Sequence, residues 1–201
     1  MDFQKRKTYY KDVLKSIVYR YISKCCGKVQ TPMQQVMLQL RVRGMLPKRI
    51  DGIEMFGMYG LWHTMDYIKY VDSLDFFELN PVDIDWAKKN LRRYNVNFYC
   101  EDSIAYMRNT EKKYSFIVSD SPLGGDFYDE DGLPYFLRDM VNRSNEESVI
   151  IFNIKHQVQS SNGNIKQFCF LKDKINDIRE AEDIFLITRN DFISYVVVIF
   201  S

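Results

Sequence analysis

Ile50-Asp51-Gly52-Ile53-Glu54-Met55-Phe56-Gly57-Met58-Tyr59-Gly60 is an apolar run that meets an acid and passes into a glycine turn. The pairing of apolar run and acid recurs downstream: Leu74-Asp75-Phe76-Phe77 leads to Glu78, and Phe98-Tyr99-Cys100 leads to Asp102. Open α/β sheets bind ligands outside the carboxyl ends of their strands, so acids in these places read as the rim of a nucleoside-binding crevice. A fourth run, Phe116-Ile117-Val118-Ser119-Asp120, ends in an acid before Ser121-Pro122-Leu123-Gly124-Gly125 and reads as the reactive edge of that crevice.

Outward from this stretch, strand and helix patterns alternate. Ile50 to Phe56 is expected as the first strand and Leu61 to Tyr70 as a helix. The second strand ends over Phe76 to Leu79, after which Asn80-Pro81 offers a side-chain cap and a proline first turn to a helix reaching about Tyr94. Asn97 to Cys100 is expected as a strand, Ile104 to Arg108 as a helix, Tyr114 to Asp120 as a strand, Pro134 to Val141 as a helix and Ser148 to Asn153 as a fifth strand. Such alternation predicts a parallel sheet covered on both faces. Gln157 to Asn164, rich in Gln, Ser, Asn and Gly, predicts a mobile loop. The last two β runs, Ile184 to Thr188 and Ser194 to Phe200, are too close for the crossover of about a dozen residues that parallel strands need, so they predict an antiparallel hairpin.

Before the sheet, residues 1–49 read as a basic helical extension, a lid beside a domain at 50–201. Tyr10, Val13, Leu14, Ile17, Tyr21 and Cys25 fall at helical steps, with Lys11, Lys15 and Lys24 between them. Thr31-Pro32-Met33-Gln34 has the residues of a capped helix start, and Gly44 a stop near Arg43. Residues 1–50 hold twelve Lys and Arg against Asp2 and Asp12, about +10 in a chain whose net charge is +1. That asymmetry suits phosphates of RNA or DNA, an acidic surface or plain solvation.

With 46% hydrophobic and 27% charged residues, the composition is that of a globular chain. Four cysteines show neither a CxxC pair nor a zinc spacing. No signal-peptide order opens the chain, and no apolar run approaches the roughly 20 residues of a membrane span. A reduced, cytoplasmic protein without a membrane partner is expected.

On Glu54 and its glycine turn, Glu78, Asp102-Ser103 and the terminal hairpin, the chain resembles the class I S-adenosylmethionine-dependent methyltransferases over about Ile50 to Ser201. The resemblance implies a doubly wound α/β sheet of five parallel strands plus a C-terminal antiparallel hairpin. It also implies methyl transfer from S-adenosyl-L-methionine, leaving S-adenosyl-L-homocysteine. By the same resemblance Glu54, Gly57, Tyr59 and Gly60 form the turn against the methionine part, and Glu78 with Leu79 holds the ribose. Asp102 with Ser103 lies beside the adenine, and Asp120 completes the cofactor set. Physical chemistry supports part of this: a carboxylate accepts two hydrogen bonds at once and suits a vicinal diol, and an acceptor suits the adenine amino group.

Two departures bear on the acceptor. Where the family commonly has three alternating glycines, this chain has Phe56, Met58 and Gly60; phenylalanine in the first place occurs in the branch that methylates nucleic-acid bases. Asp120-Ser121-Pro122-Leu123 lies where that branch carries Asp/Asn-Pro-Pro-aromatic, without the aromatic. Asp120 and His156 are the candidate catalytic bases. Tyr59 and Trp62 are candidate pocket walls, and His63 is a packing or capping residue. Asp126, Asp129, Glu130 and Asp131 could bind sugar hydroxyls, hold a divalent cation or form a solvated loop; no metal ligand set is assigned. The expected acceptor is a hydroxyl of a sugar (glycan) or other small molecule. The alternatives are an RNA or DNA base, a non-catalytic partner subunit, and a dinucleotide enzyme suggested by Gly57-Met58-Tyr59-Gly60 with Glu78.

Overall fold

The computed structural model describes residues 11, 14, 18, 31–61, 63–123, 135–155, 161–190 and 193–201, with backbone alone at 120–123, 155, 161–167, 189 and 190. Trp62, Asp126 to Asp131, His156, the side chain of Asp120 and most of the helix expected from Tyr10 lie outside the described residues.

The first described helix, α1 (Pro32–Val42), starts as its sequence requires. Thr31 Oγ1 accepts the Gln34 amide at 3.0 Å, the Gln34 side chain accepts the Thr31 amide at 3.1 Å, and Gly44 leaves the helix at φ 69°. Its apolar stripe, Met33, Val36, Met37 and Leu40, is buried against the sheet. Then follow β1 (Asp51–Met55), α2 (Thr64–Tyr67) extended by a 3-10 turn (Ile68–Tyr70), β2 (Ser73–Phe77), α3 (Pro81–Asn90), β3 (Val96–Tyr99), α4 (Ser103–Asn109) and β4 (Tyr114–Leu123). The chain closes with α5 (Leu137–Asn142), β5 (Ser144–Lys155), α6 (Ser161–Ile178), β6 (Asp183–Asn190) and β7 (Ile193–Phe200).

The seven strands form one sheet in the order β3-β2-β1-β4-β5-β7-β6. The first five are mutually parallel, and β7 is antiparallel to both β5 and β6. The expected doubly wound sheet with a reversed terminal hairpin is present. Its second strand enters between β5 and β6. The reason is burial: β7 is buried from Ser194 to Phe200, as a strand with neighbours on both edges must be, whereas β6 alternates and takes the edge.

Strand alternation divides the core in two. Ile53, Met55, Phe77, Ile117, Ile150 and Phe152 face α4, α5 and α6; Leu74, Phe76, Phe116, Val118 and Ile151 face α1, α2 and α3. Among the described residues no helix is long and apolar enough to cross a membrane.

Three expectations are corrected. Ser161 to Asn164, expected in a loop, form the first turn of α6, whose buried Leu171 and Ile175 dock on the sheet; the apolar periodicity begins only after the polar stretch that suggested a loop. The helix expected from Leu61 begins at Thr64, because the turn after β1 runs on through Gly60. Leu14, expected on a buried helical face, is 65% exposed, and Lys11 and Val18 are exposed beside it.

Candidate functional site

The turn after β1 is built from left-handed residues at alternate positions: Phe56 at φ 63°, Met58 at φ 48° and Gly60 at φ 63°. Only glycine adopts such angles without steric cost, and non-glycine residues there mark strain of about 1–3 kcal/mol each that the surrounding structure must hold. Phe56 is held by its ring, which meets Phe136 edge-on at 6.4 Å and packs on the α4–α6 core. Met58 is held through its amide, which donates to Glu78 Oε2 at 3.0 Å.

The glycines of the turn serve packing. A Cβ on Gly57 would lie 2.2 Å from the Phe76 ring, and one on Gly60 2.8 Å from Leu91 Cδ1. The Gly57 amide donates to the Phe77 carbonyl at 2.9 Å, fixing the turn to the end of β2. Tyr59 is buried, and its carbonyl accepts Asn90 Nδ2 at 2.8 Å.

Glu54 and Glu78 differ in accessibility. Glu54 is 2% exposed, and Thr64 Oγ1, at the start of α2, donates to its carboxylate at 2.8 Å. Glu78, just past β2, is partly exposed; Oε2 accepts the Met58 amide and Oε1 the Asn80 amide at 2.9 Å. Each Glu78 oxygen keeps a lone pair for another donor. Beside it Leu79 is 63% and Met58 46% exposed, so an ordered carboxylate stands between two open apolar side chains.

Asp102 is exposed and caps α4: Oδ1 accepts the Ile104 amide at 2.9 Å and the Ala105 amide at 3.3 Å. Ser103 is buried beneath that helix start. Asp120 does not end its strand, as expected; β4 continues to Leu123. The β4–β5 register shifts between Ser119 and Leu123, so Asp120 occupies a break in the ladder. Pro122, which has no amide hydrogen to give, lies in the same break. Thus Glu54, the turn, Glu78 and Asp102 follow three adjacent parallel strands, and the backbone of Asp120 follows a fourth.

His63 is a packing residue: its Nδ1 shares a 2.6 Å hydrogen bond with Tyr195 Oη, and the rings meet edge-on at 5.5 Å. Asp75 had no role in the sequence reading. It is 2% exposed in β2 and accepts Lys112 Nζ at 2.5 Å, Tyr114 Oη at 2.7 Å and Asn97 Nδ2 at 2.9 Å. Burial opposes ionisation of Asp75, but the bonds from Lys112, Asn97 and Tyr114 outweigh it and hold the carboxyl below its ordinary range. The signal was an acid inside an apolar run, with an amide at the matching position of β3. Among the described residues no group of His, Cys, Asp and Glu comes together to hold a metal.

Neither a family model nor a curated protein matches the sequence. Solved structures do match the fold. The N-methyltransferase NodS of Bradyrhizobium japonicum WM9, in complex with S-adenosyl-L-homocysteine, aligns at TM-score 0.58 and 11% identity over 85% of this chain and 89% of that one. Magnesium protoporphyrin IX methyltransferase of Synechocystis PCC 6803, with bound cofactor, aligns at 0.58 and 12% over 93% and 97%. An S-adenosylmethionine-dependent methyltransferase of Agrobacterium tumefaciens aligns at 0.58 and 13% over 85% of this chain, which spans 63% of that protein's length. At such identities the likeness concerns the fold: this chain has the fold of the class I S-adenosylmethionine-dependent methyltransferases.

Proposed function

We propose that the protein binds S-adenosylmethionine at the turn after β1 and transfers its methyl group to an acceptor. The observation that carries this reading is the alternation of left-handed residues at 56, 58 and 60, pinned to Glu78 by the Met58 amide. The family's glycines permit such a path, and here the path is kept although two of the three positions carry large side chains. A strained turn held by its surroundings is expected where backbone meets ligand.

The residues fit the cofactor. Glu78, with lone pairs beyond those used by Met58 and Asn80, takes the ribose diol. Met58 and Leu79, open beside it, cover the apolar faces of the nucleoside. Asp102, with both amide bonds on Oδ1, accepts the adenine amino group through Oδ2. Glu54 acts through the turn, steadied by Thr64, and Gly57, Tyr59, Gly60 and Ser103 shape the backbone around it. The bound sulfonium supplies an electrophilic methyl. The protein's part is to align the acceptor and remove its proton; Asp120 and His156 are the candidate bases.

The acceptor in this reading is a hydroxyl of a sugar or another small molecule, supported by the acids at Asp126, Asp129, Glu130 and Asp131 and by Leu123 in place of a base-stacking aromatic. Those acids could also hold a divalent cation. A second reading, a nucleic-acid base, is favoured by Phe56 in the turn and by the basic residues of segment 1–49, which would then lie over the acceptor.

Calorimetric titration with S-adenosylhomocysteine tests the cofactor assignment, with NAD as control and Glu78→Ala as variant. Binding of the homocysteine product that is lost in the variant is expected. A folded protein that binds neither ligand overturns the assignment and points to a non-catalytic partner subunit; binding of NAD alone points to a dinucleotide enzyme.

A further inference from the structure

The helical segments on the α1–α3 face each lead into the start of a strand: α1 toward β1, the 3-10 turn toward β2 and α3 toward β3. All three end at the sheet edge opposite Glu78. Helix C-termini carry partial negative charge and favour cations. Arg41 lies in the last turn of α1, Lys69 in the 3-10 turn and Lys88 and Lys89 in the last turn of α3, with Arg92 and Arg93 just beyond. The fold gathers at one edge charges that local stability placed on separate helices.

A dipole role accounts for each cation singly and leaves their company unexplained. All six are exposed, and none is in an ion pair with a described carboxylate. Arg41 and Lys69 converge on one phenol: the guanidinium carbon is 5.4 Å and the ammonium nitrogen 4.8 Å from the centre of the Tyr70 ring, and Arg41 Nη1 donates to Tyr70 Oη at 3.3 Å. Burial alone would raise the Tyr70 pKa, yet the hydrogen bonds and charges of Lys69 and Arg41 bring it below its ordinary value, as a surplus of positive potential requires. Lys89 stands over Trp86 at 4.4 Å. Tyr94, 36% exposed, lines one groove with Arg41, Lys69 and Tyr70. The carboxylate in that groove, Asp66, is 5% exposed and already takes Thr31 Oγ1 at 2.6 Å and Gln34 Nε2 at 3.0 Å.

We propose that this groove and its rim bind the phosphodiester backbone of a nucleic acid, with Arg41, Lys69, Arg92 and Arg93 meeting phosphates and the Tyr94 ring meeting a base. Unpaired cations interleaved with exposed aromatic rings are the chemistry that recognises a polynucleotide strand. The surface lies away from the candidate cofactor crevice, so the inference holds with or without the methyltransferase reading; together they select a nucleic-acid acceptor.

The test is fluorescence anisotropy of a labelled single-stranded RNA of mixed sequence across a salt series. The same sequence in DNA and vesicles of phosphatidylserine and phosphatidylcholine serve as parallel arms. Salt-sensitive binding is expected, with Arg92→Glu plus Arg93→Glu weakening it about tenfold or more and lowering the salt slope by about 1. Lys69→Glu should weaken it in the same sense, while Lys172→Glu, exposed on α6, should leave it within about twofold. Equal losses from Lys172→Glu overturn the proposal. So do an unchanged affinity in the Arg92 and Arg93 variant, loss of binding only on reversal of Lys5, Arg6 and Lys7, and binding to vesicles without binding to RNA or DNA. Unchanged melting temperatures and homocysteine titrations of the variants separate this result from loss of folding and from failure of the cofactor assignment.

Discussion

Glu78 Oε2 accepts the amide of Met58 at 3.0 Å, and this bond joins the strained turn after β1 to the carboxyl end of β2. The second oxygen accepts the Asn80 amide at the start of α3, so one carboxylate fixes two backbone segments at the rim of the crevice. Glu78→Gln presents a donor where two amides both require acceptors. We expect S-adenosylhomocysteine affinity to fall about 10- to 100-fold, or about 1.4–2.7 kcal/mol, with stability lowered by about 1 kcal/mol. Calorimetry and urea unfolding measure the two effects.

Relief of backbone strain separates Met58 from Phe56. Met58 is 46% exposed at φ 48°, so Met58→Gly should leave stability unchanged or raise it by up to about 1 kcal/mol. Phe56→Gly removes a ring that packs on Phe136 and the core, and the loss of about 2–3 kcal/mol outweighs the same relief. Thermal unfolding of both variants decides the sign; stabilisation by Phe56→Gly would refute the packing role.

Gly57 is confined by its neighbour. Its φ is not left-handed, yet an added Cβ would meet three atoms of the buried Phe76 ring at 2.2–2.8 Å. We expect Gly57→Ala to cost about 3 kcal/mol or more, with partial recovery when Phe76→Leu is added. Denaturant melts of the single and double variants would show that coupling.

Acid stability should depend on Asp75. Its carboxyl lies below the ordinary range, so its contribution is fully present above the unfolded carboxylate value of about 3.9 and is lost as pH falls through the folded value. Lys112→Met removes the counter-charge and leaves a buried carboxylate with Tyr114 and Asn97. We expect a loss of about 2–4 kcal/mol near neutral pH, with the folded Asp75 value moving up. Urea unfolding of both proteins across pH 3 to 7 should show their stabilities converging toward the acid end. A constant difference would remove Asp75 as the cause.

Much of the framework was legible in the chain. Helix starts at Thr31 and Asn80 depend on contacts within a few residues, so local sequence states them and the structure repeats them. Strand alternation and the short link before β7 likewise constrain the fold through the reach of the backbone. The polar start of α6 was not legible as helix, because its stability comes from Leu171 and Ile175 docking on a sheet formed elsewhere in the chain.

The sequence by itself determined the alternating α/β plan, the reversed last strand and the acids following successive strands, since each rests on periodicity, spacing or covalent reach. Only the tertiary structure decided that β7 enters between β5 and β6, since strand order follows from burial on both faces and hydrogen bonding on both edges. It also decided that Gly57 makes room for Phe76 and that Phe56 and Met58 take angles usually left to glycine. Packing on Phe136 and a bond to Glu78 hold those angles, and both partners lie too far along the chain for local sequence to name them. The same long-range assembly brings Arg41, Lys69 and Tyr94 to one groove.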